Sequence, residues 1–86
     1  MLIVFVWLGS MLPLRYIDTI NECQSHPGNE CIVLQEVHEK ILHEKYKDIL
    51  NLSEERLKRL IMVERADIVR LLYLYDKGGI YSDLDT

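Results

Sequence analysis

The chain has 86 residues, enough for one small domain and fewer than the roughly 100–150 residues of a common one. Its composition, 49% apolar and 28% charged, excludes a disordered segment. A net charge of −4 argues against nucleic acid or an anionic membrane as partner.

The opening stretch MLIVFVWLGSMLPL carries no charge. It lacks the basic leader and small-residue cleavage site of a signal peptide. It is also shorter than the roughly 20 apolar residues a transmembrane helix needs. Ile3, Val4, Phe5, Val6 and Trp7 are β-branched or aromatic and Gly9-Ser10 stops them, so residues 2–8 are expected to form a buried strand. A helix follows over 14–24, with Leu14, Ile17 and Ile20 on its apolar face. The cluster His26-Pro27-Gly28-Asn29 reads as a turn, and Cys31–Leu34 as a second strand. A helix linking two strands in this way predicts that they lie parallel and adjacent.

The segment 36–50 has the pattern of a second helix, with Val37, Ile41, Tyr46, Ile49 and Leu50 as its apolar stripe. Asn51-Leu52-Ser53 breaks it. Ser53 then caps a long helix expected to run to Asp76, with Glu54 and Glu55 in its first turn. Ala66, Ile68, Val69, Leu71, Leu72, Tyr73, Leu74 and Tyr75 surround the second half of that helix and predict that it is buried on nearly every face. Gly78-Gly79 ends it, and a last strand is expected over 80–84. The element order is β-α-β-α-α-β, an α/β arrangement.

Several residues carry possible chemistry. Asp83 and Asp85, two apart, share one side of an extended segment. Two carboxylates there suit a hard divalent ion such as Mg²⁺ or Mn²⁺, and a solvated turn is the plainer alternative. Asp67 and Arg70 fall on one face of the long helix. They read either as an internal salt bridge or as a charged pair at the rim of a polar pocket. Trp7, at the carboxyl end of the first strand, is either a core aromatic or a ring on which a ligand stacks. Tyr73, Tyr75 and Tyr81 are core or pocket lining.

His38 and His43 lie in HEKILH, a near miss of H-E-x-x-H. The spacing of five turns the rings about 140° apart, so zinc is not expected and both histidines are placed on the surface. Cys23 and Cys31 do not form C-x-x-C and read as free thiols, with a disulfide as the alternative in an oxidising compartment.

RADIVRLLYLYDKGGIYSDLDT, residues 65–86, resembles the sugar-nucleotide-binding signature of glycosyltransferases with a GT-A fold and a D-x-D motif. The nearest likeness is to a family of mannosyltransferases and bacterial capsule or lipooligosaccharide sugar transferases. The glucosylating domain of large clostridial toxins shares its elements. The family pattern is a small residue, Asp, two apolar residues, Arg, a helical run, Gly-Gly, an apolar residue, Tyr, and two acids separated by one residue. VFVWLGSMLPLRYIDTI resembles the family's opening strand and helix. The two likenesses bracket the chain, while the middle, from 24 to 60, is not specific.

This resemblance implies the N-terminal part of a GT-A (Rossmann-like) nucleotide-sugar-binding fold and metal-dependent transfer of a sugar from a nucleotide-sugar donor to a glycan, lipid or protein acceptor. It implies that Trp7 stacks on the base and that Asp67, Arg70 and Tyr81 hold the donor. Asp83 would contact ribose, sugar or metal-bound water, and Asp85 would bind Mn²⁺ or Mg²⁺ on the diphosphate. The family's opening usually carries a histidine near Val4, which this sequence lacks. Its members continue beyond the two acids, so the chain is expected to be a fragment or truncated copy, inactive alone. The resemblance implies a cytoplasmic or membrane-associated protein in a bacterium and a Golgi protein in a eukaryote. Two other classes compete. A haloacid-dehalogenase-type phosphatase also uses paired acids, but Thr86 falls one position too early for its motif. A helical interaction module would use the acids only as a solvated end.

Overall fold

The computed structural model describes residues 1–9 and 11–84. Its elements are β1 (Leu2–Val6), α1 (Leu14–Ser25), β2 (Glu30–Leu34), α2 (Glu36–Leu50), α3 (Glu54–Arg59), α4 (Met62–Lys77) and β3 (Ile80–Tyr81). The strands form one sheet in the order β2-β1-β3. β1 pairs in parallel with β2, Leu2 opposite Glu30 through Val6 opposite Leu34. It also pairs in parallel with β3, Ile3 opposite Ile80 and Val4 opposite Tyr81. The expected α/β class and the parallel pairing of the first two strands are therefore present.

Alternation along β1 divides the core. Leu2, Val4 and Val6 share a cluster with Leu34, Leu42, Val69 and Leu72, which brings α2 and α4 to one face. Ile3, Phe5 and Trp7 share the other cluster with Tyr16, Ile20, Cys23 and Leu84, which brings α1 to the opposite face. The connection through α1 leads to one side of β1, and the connection through α2–α4 returns to its other side. The strand order thus reverses at β1. In open α/β sheets the crevice at the carboxyl ends of strands flanking such a reversal is where ligands bind.

Gly79 sets how closely β3 approaches β1. Its φ is +114°, and a Cβ would lie 3.0 Å from the Leu2 carbonyl oxygen and 3.2 Å from Val4 Cγ2. Gly79→Ala is expected to cost about 2–3 kcal/mol by adding this clash to the strain of a positive φ. Gly28 (φ +84°) has nothing within 4 Å of such a Cβ, so Gly28→Ala should cost only about 1 kcal/mol. Denaturant unfolding of the two variants measures the difference. Equal losses would show that the approach to β1 tolerates a side chain.

Several expectations are corrected. The expected long helix is two helices, α3 and α4, separated by Leu60 (ψ 149°) and Ile61 (ψ 159°) in extended conformation. Glu64 accepts the Ile61 N–H at 3.3 Å and so supports a fresh helix start. Ser53 does cap α3, its hydroxyl accepting the Arg56 N–H at 3.2 Å.

α4 is not buried all round. Val69 is buried, but Leu71 and Tyr75 are 60% and 76% exposed. A sheet of three strands covers only the side of α4 that faces β1. The last strand covers 80–81 rather than 80–84, because the chain turns at Leu84, which is buried against Phe5 and Tyr16.

Two helix faces are rotated from their expected positions. In α1 the inward residues are Tyr16, Ile20 and Cys23, while Leu14 is exposed. In α2 the buried residues are Glu39, Leu42 and His43, while Val37, Ile41 and Ile49 face outward. His43 is thus not a surface histidine: its Nε2 lies 2.6 Å from the Leu52 carbonyl oxygen and ties α2 to the turn after it. His38 Nδ1 accepts the Gln35 N–H at 2.9 Å.

Cys23 and Cys31 are joined in a disulfide rather than free, with Cα atoms 6.5 Å apart. The 26–29 turn reverses the chain and brings the end of α1 against β2, within disulfide reach.

Candidate functional site

At the sheet's carboxyl edge, β1 delivers Trp7 and β3 delivers Asp83. The Trp7 N–H donates to the Leu34 carbonyl oxygen at 2.8 Å, extending the pairing of β1 with β2. The Ser82 N–H donates to the Val4 carbonyl oxygen at 2.9 Å, extending the pairing of β3 with β1. Backbone hydrogen bonding therefore fixes the level at which both residues leave the sheet.

Trp7 is half-buried, with its ring 5.3 Å from that of Tyr16 and tilted 51° to it. Tyr16 is 7% exposed, so one wall of Trp7 rests on the core. Arg15 reaches the same corner. Its guanidinium donates to the Tyr16 hydroxyl at 2.9 Å and lies 4.7 Å from the ring centre.

Four of the expected site residues form one connected chain. Asp67 Oδ1 lies 3.4 Å from an Arg70 guanidinium nitrogen. The Arg70 guanidinium sits 4.7 Å above the Tyr81 ring. The Tyr81 hydroxyl donates to Asp83 Oδ1 at 2.6 Å. The Asp67–Arg70 pair is not deeply buried: the two side chains are 54% and 32% exposed. A solvated pair of this kind contributes little stability by itself. What it does is orient Arg70 over Tyr81, leaving the guanidinium edge able to donate to an oxygen-rich ligand.

Burial pushes the Tyr81 phenol up to about 12, and the hydrogen bond to Asp83 adds to the shift. Tyr81 therefore stays protonated at neutral pH and serves as a donor. Asp83 is exposed at the end of this relay, while Leu84 is buried beneath α1. Leu84 thus anchors the acidic segment to the core. Asp85 lies outside the described residues, so its expected orientation beside Asp83 does too. Among the described residues, no group of three or more His, Cys, Asp or Glu side chains is placed to hold a metal ion. Any ion at Asp83 would have to complete its shell with Asp85, water or ligand oxygens.

The remaining aromatics have mixed roles. Tyr73 packs against the cluster around Val4. Tyr75 packs edge-on against Tyr46, ring centres 5.6 Å apart, while much of it stays exposed. Tyr46 and Lys45 both donate to Asp76, tying α2 to the end of α4. Those donors, Lys45 first and then Tyr46, hold the Asp76 carboxyl below its usual value.

A groove lies elsewhere, between α2, α3 and the start of α4. It has a volume of about 680 Å³ and its lining includes Glu36, Glu39, His43, Leu57 and Arg65. None of the expected site residues lines it among the described residues. Its floor is a two-pronged ion pair: Arg65 Nε and Nη2 lie 2.9 and 2.5 Å from the two Glu39 carboxylate oxygens. The pair is nearly buried, and the Glu39 carboxylate holds the Arg65 proton more tightly than usual. This brace sets the position of α4, and so of Asp67 and Arg70, against α2.

Sequence reasoning missed Tyr16, Arg15 and the Glu39–Arg65 brace. The brace leaves no local pattern, since its partners stand 26 residues apart.

Residues 13–86 match a family described as the glycosyltransferase sugar-binding region containing the DXD motif. The match takes in Asp67, Arg70, Tyr81, Asp83 and Asp85, and begins after Trp7. No curated protein and no solved structure matches the chain. With most of its length matched, the chain belongs to the DXD-containing glycosyltransferase sugar-binding family.

Proposed function

We propose that the chain binds a nucleotide-sugar donor in the crevice between the carboxyl ends of β1 and β3, for metal-dependent sugar transfer to an acceptor. The observation that carries this reading is the relay from Asp67 through Arg70 and Tyr81 to Asp83, which ends where the strand order reverses. Membership of the glycosyltransferase family supports the same reading.

In this reading Trp7 stacks on the base. Arg70, oriented by Asp67, donates to sugar or ribose hydroxyls. Tyr81 holds one oxygen of Asp83, which faces the donor or a metal-bound water. Asp83 and Asp85 hold Mn²⁺ or Mg²⁺ against the diphosphate. The donor set fits a hard ion, because the side chains that reach this edge from β3 offer oxygen ligands. Such an ion supplies Lewis-acid stabilisation of charge on the departing nucleoside diphosphate.

Isothermal titration calorimetry with uridine and guanosine diphosphate sugars tests the proposal, with Mn²⁺ present and with EDTA in its place. Saturable binding that requires Mn²⁺ is expected for at least one donor. Equal heats with Mn²⁺ and with EDTA would overturn the metal's role, and no binding to any donor would overturn the reading.

A further inference from the structure

Gly9, two residues after Trp7, is exposed and has φ +97°. Its N–H donates to Glu36 Oε1 at 2.9 Å. That contact joins the loop leaving β1 to the first residue of α2, which follows β2. A Cβ on Gly9 would lie 3.2 Å from Met62 Cε, so the start of α4 closes on the same point.

Glu36 therefore stands where β1, α2 and α4 meet, at the sheet's carboxyl edge. Trp7 and Tyr16, whose rings touch, lie on either side of the tethered loop. The loop has a second fixed point at Pro13, whose carbonyl oxygen accepts the Tyr16 N–H at 3.0 Å. Between Trp7 and Pro13, Leu8 and Leu12 pack their side chains into the two core clusters, and the Glu36 carboxylate accepts the Gly9 N–H.

We propose that Glu36 is a positioning residue: by holding the Gly9 N–H it fixes the β1 exit loop and, through it, the placement of the Trp7 ring against Tyr16. Glu36 does not touch the donor. Its effect on donor affinity rests on the reading of Trp7 proposed above, whereas its effect on Trp7 itself does not.

A plainer role also fits an acid at the start of a helix, namely complementing the helix dipole. The two roles separate by substitution. Glu36→Gln keeps an oxygen that can accept the Gly9 N–H and loses the charge, while Glu36→Ala loses both. Glu36 is exposed and alanine is the best helix former, so both variants should fold.

Trp7 is the only tryptophan, so its fluorescence reports this corner alone. Acrylamide quenching without nucleotide is expected to rise in Glu36→Ala and to stay near wild type in Glu36→Gln. Titration with uridine diphosphate and guanosine diphosphate in MnCl₂ is expected to show affinity lowered about threefold to tenfold in Glu36→Ala, the range of one ordinary hydrogen bond. Glu36→Gln should stay within about twofold.

Unchanged quenching in Glu36→Ala would overturn the proposal, as would a Glu36→Gln variant that behaves like Glu36→Ala. If wild type binds neither nucleotide, the functional reading fails, and the quenching comparison still decides the role of Glu36.

Discussion

In a full-length protein that carries this region, Asp85→Ala is expected to abolish sugar transfer while leaving the fold intact. The reason is the division of labour at the end of β3. Leu84 is buried and supplies the packing, while Asp83 is exposed. An acid at a strand end contributes little to the core, so the substitution should not unfold the chain. In the proposed site Asp83 already gives one oxygen to the Tyr81 hydroxyl. Asp85 is then the acid assigned to the ion, and without it a metal held by so few carboxylates has little left to bind. A loss of at least about 10²–10³-fold in transfer rate is expected, the scale of removing an electrostatic stabiliser from a reacting centre. Circular dichroism would confirm the retained fold. Transfer that survives Asp85→Ala, or survives EDTA, would mean that the acids are not a metal site.

The sheet was legible because its signal is local. β1 is a run of β-branched and aromatic residues bounded by Gly9, and its alternation separates Val4 from Phe5 onto opposite faces. The residues of the relay on α4 and β3 were singled out by spacing and by the likeness carried by residues 65–86, but the contacts of Tyr81 with Arg70 and Asp83 were not.

The helix faces were not legible, for a definite reason. The chain has more apolar residues than a three-stranded sheet can cover, so more than one helical stripe looks like a core face. In α1 the expected stripe of Leu14, Ile17 and Ile20 competes with that of Tyr16, Ile20 and Cys23; tertiary packing chooses the second and keeps only Ile20 of the first. In α2 the buried face includes a glutamate. Its burial is tolerated only because Arg65 arrives from α4, and no local rule anticipates that partner. The break between α3 and α4 was hidden for the same reason: Leu60-Ile61-Met62-Val63 looks like continuous helix until α4 has to turn onto the sheet.

Reduction of the Cys23–Cys31 disulfide is expected to lower stability by about 2.5 kcal/mol, from the chain entropy of a loop of this length. The sequence separation is 8, so the loop is short and the loss lies toward the lower end of the usual range. In a chain this small such a loss is a large share of the total. It corresponds to a melting temperature lower by about 10–20 °C. The bridge also has a structural consequence. It fastens the end of α1 to β2, and α1 is the layer that carries Tyr16 against Trp7 and covers Leu84 beneath the acids. Loss of the bridge should therefore loosen the α1 face before the face formed by α2 and α4, which the Glu39–Arg65 pair holds independently. Thermal melts of the oxidised protein, the protein in dithiothreitol and the Cys23→Ser/Cys31→Ser variant measure the stability change. Amide hydrogen exchange locates it, with faster exchange expected in α1 than in α2 once the bridge is gone. Identical melting curves with and without reductant would show that the bridge adds nothing to the fold, and uniform exchange across both faces would show that α1 does not depend on it.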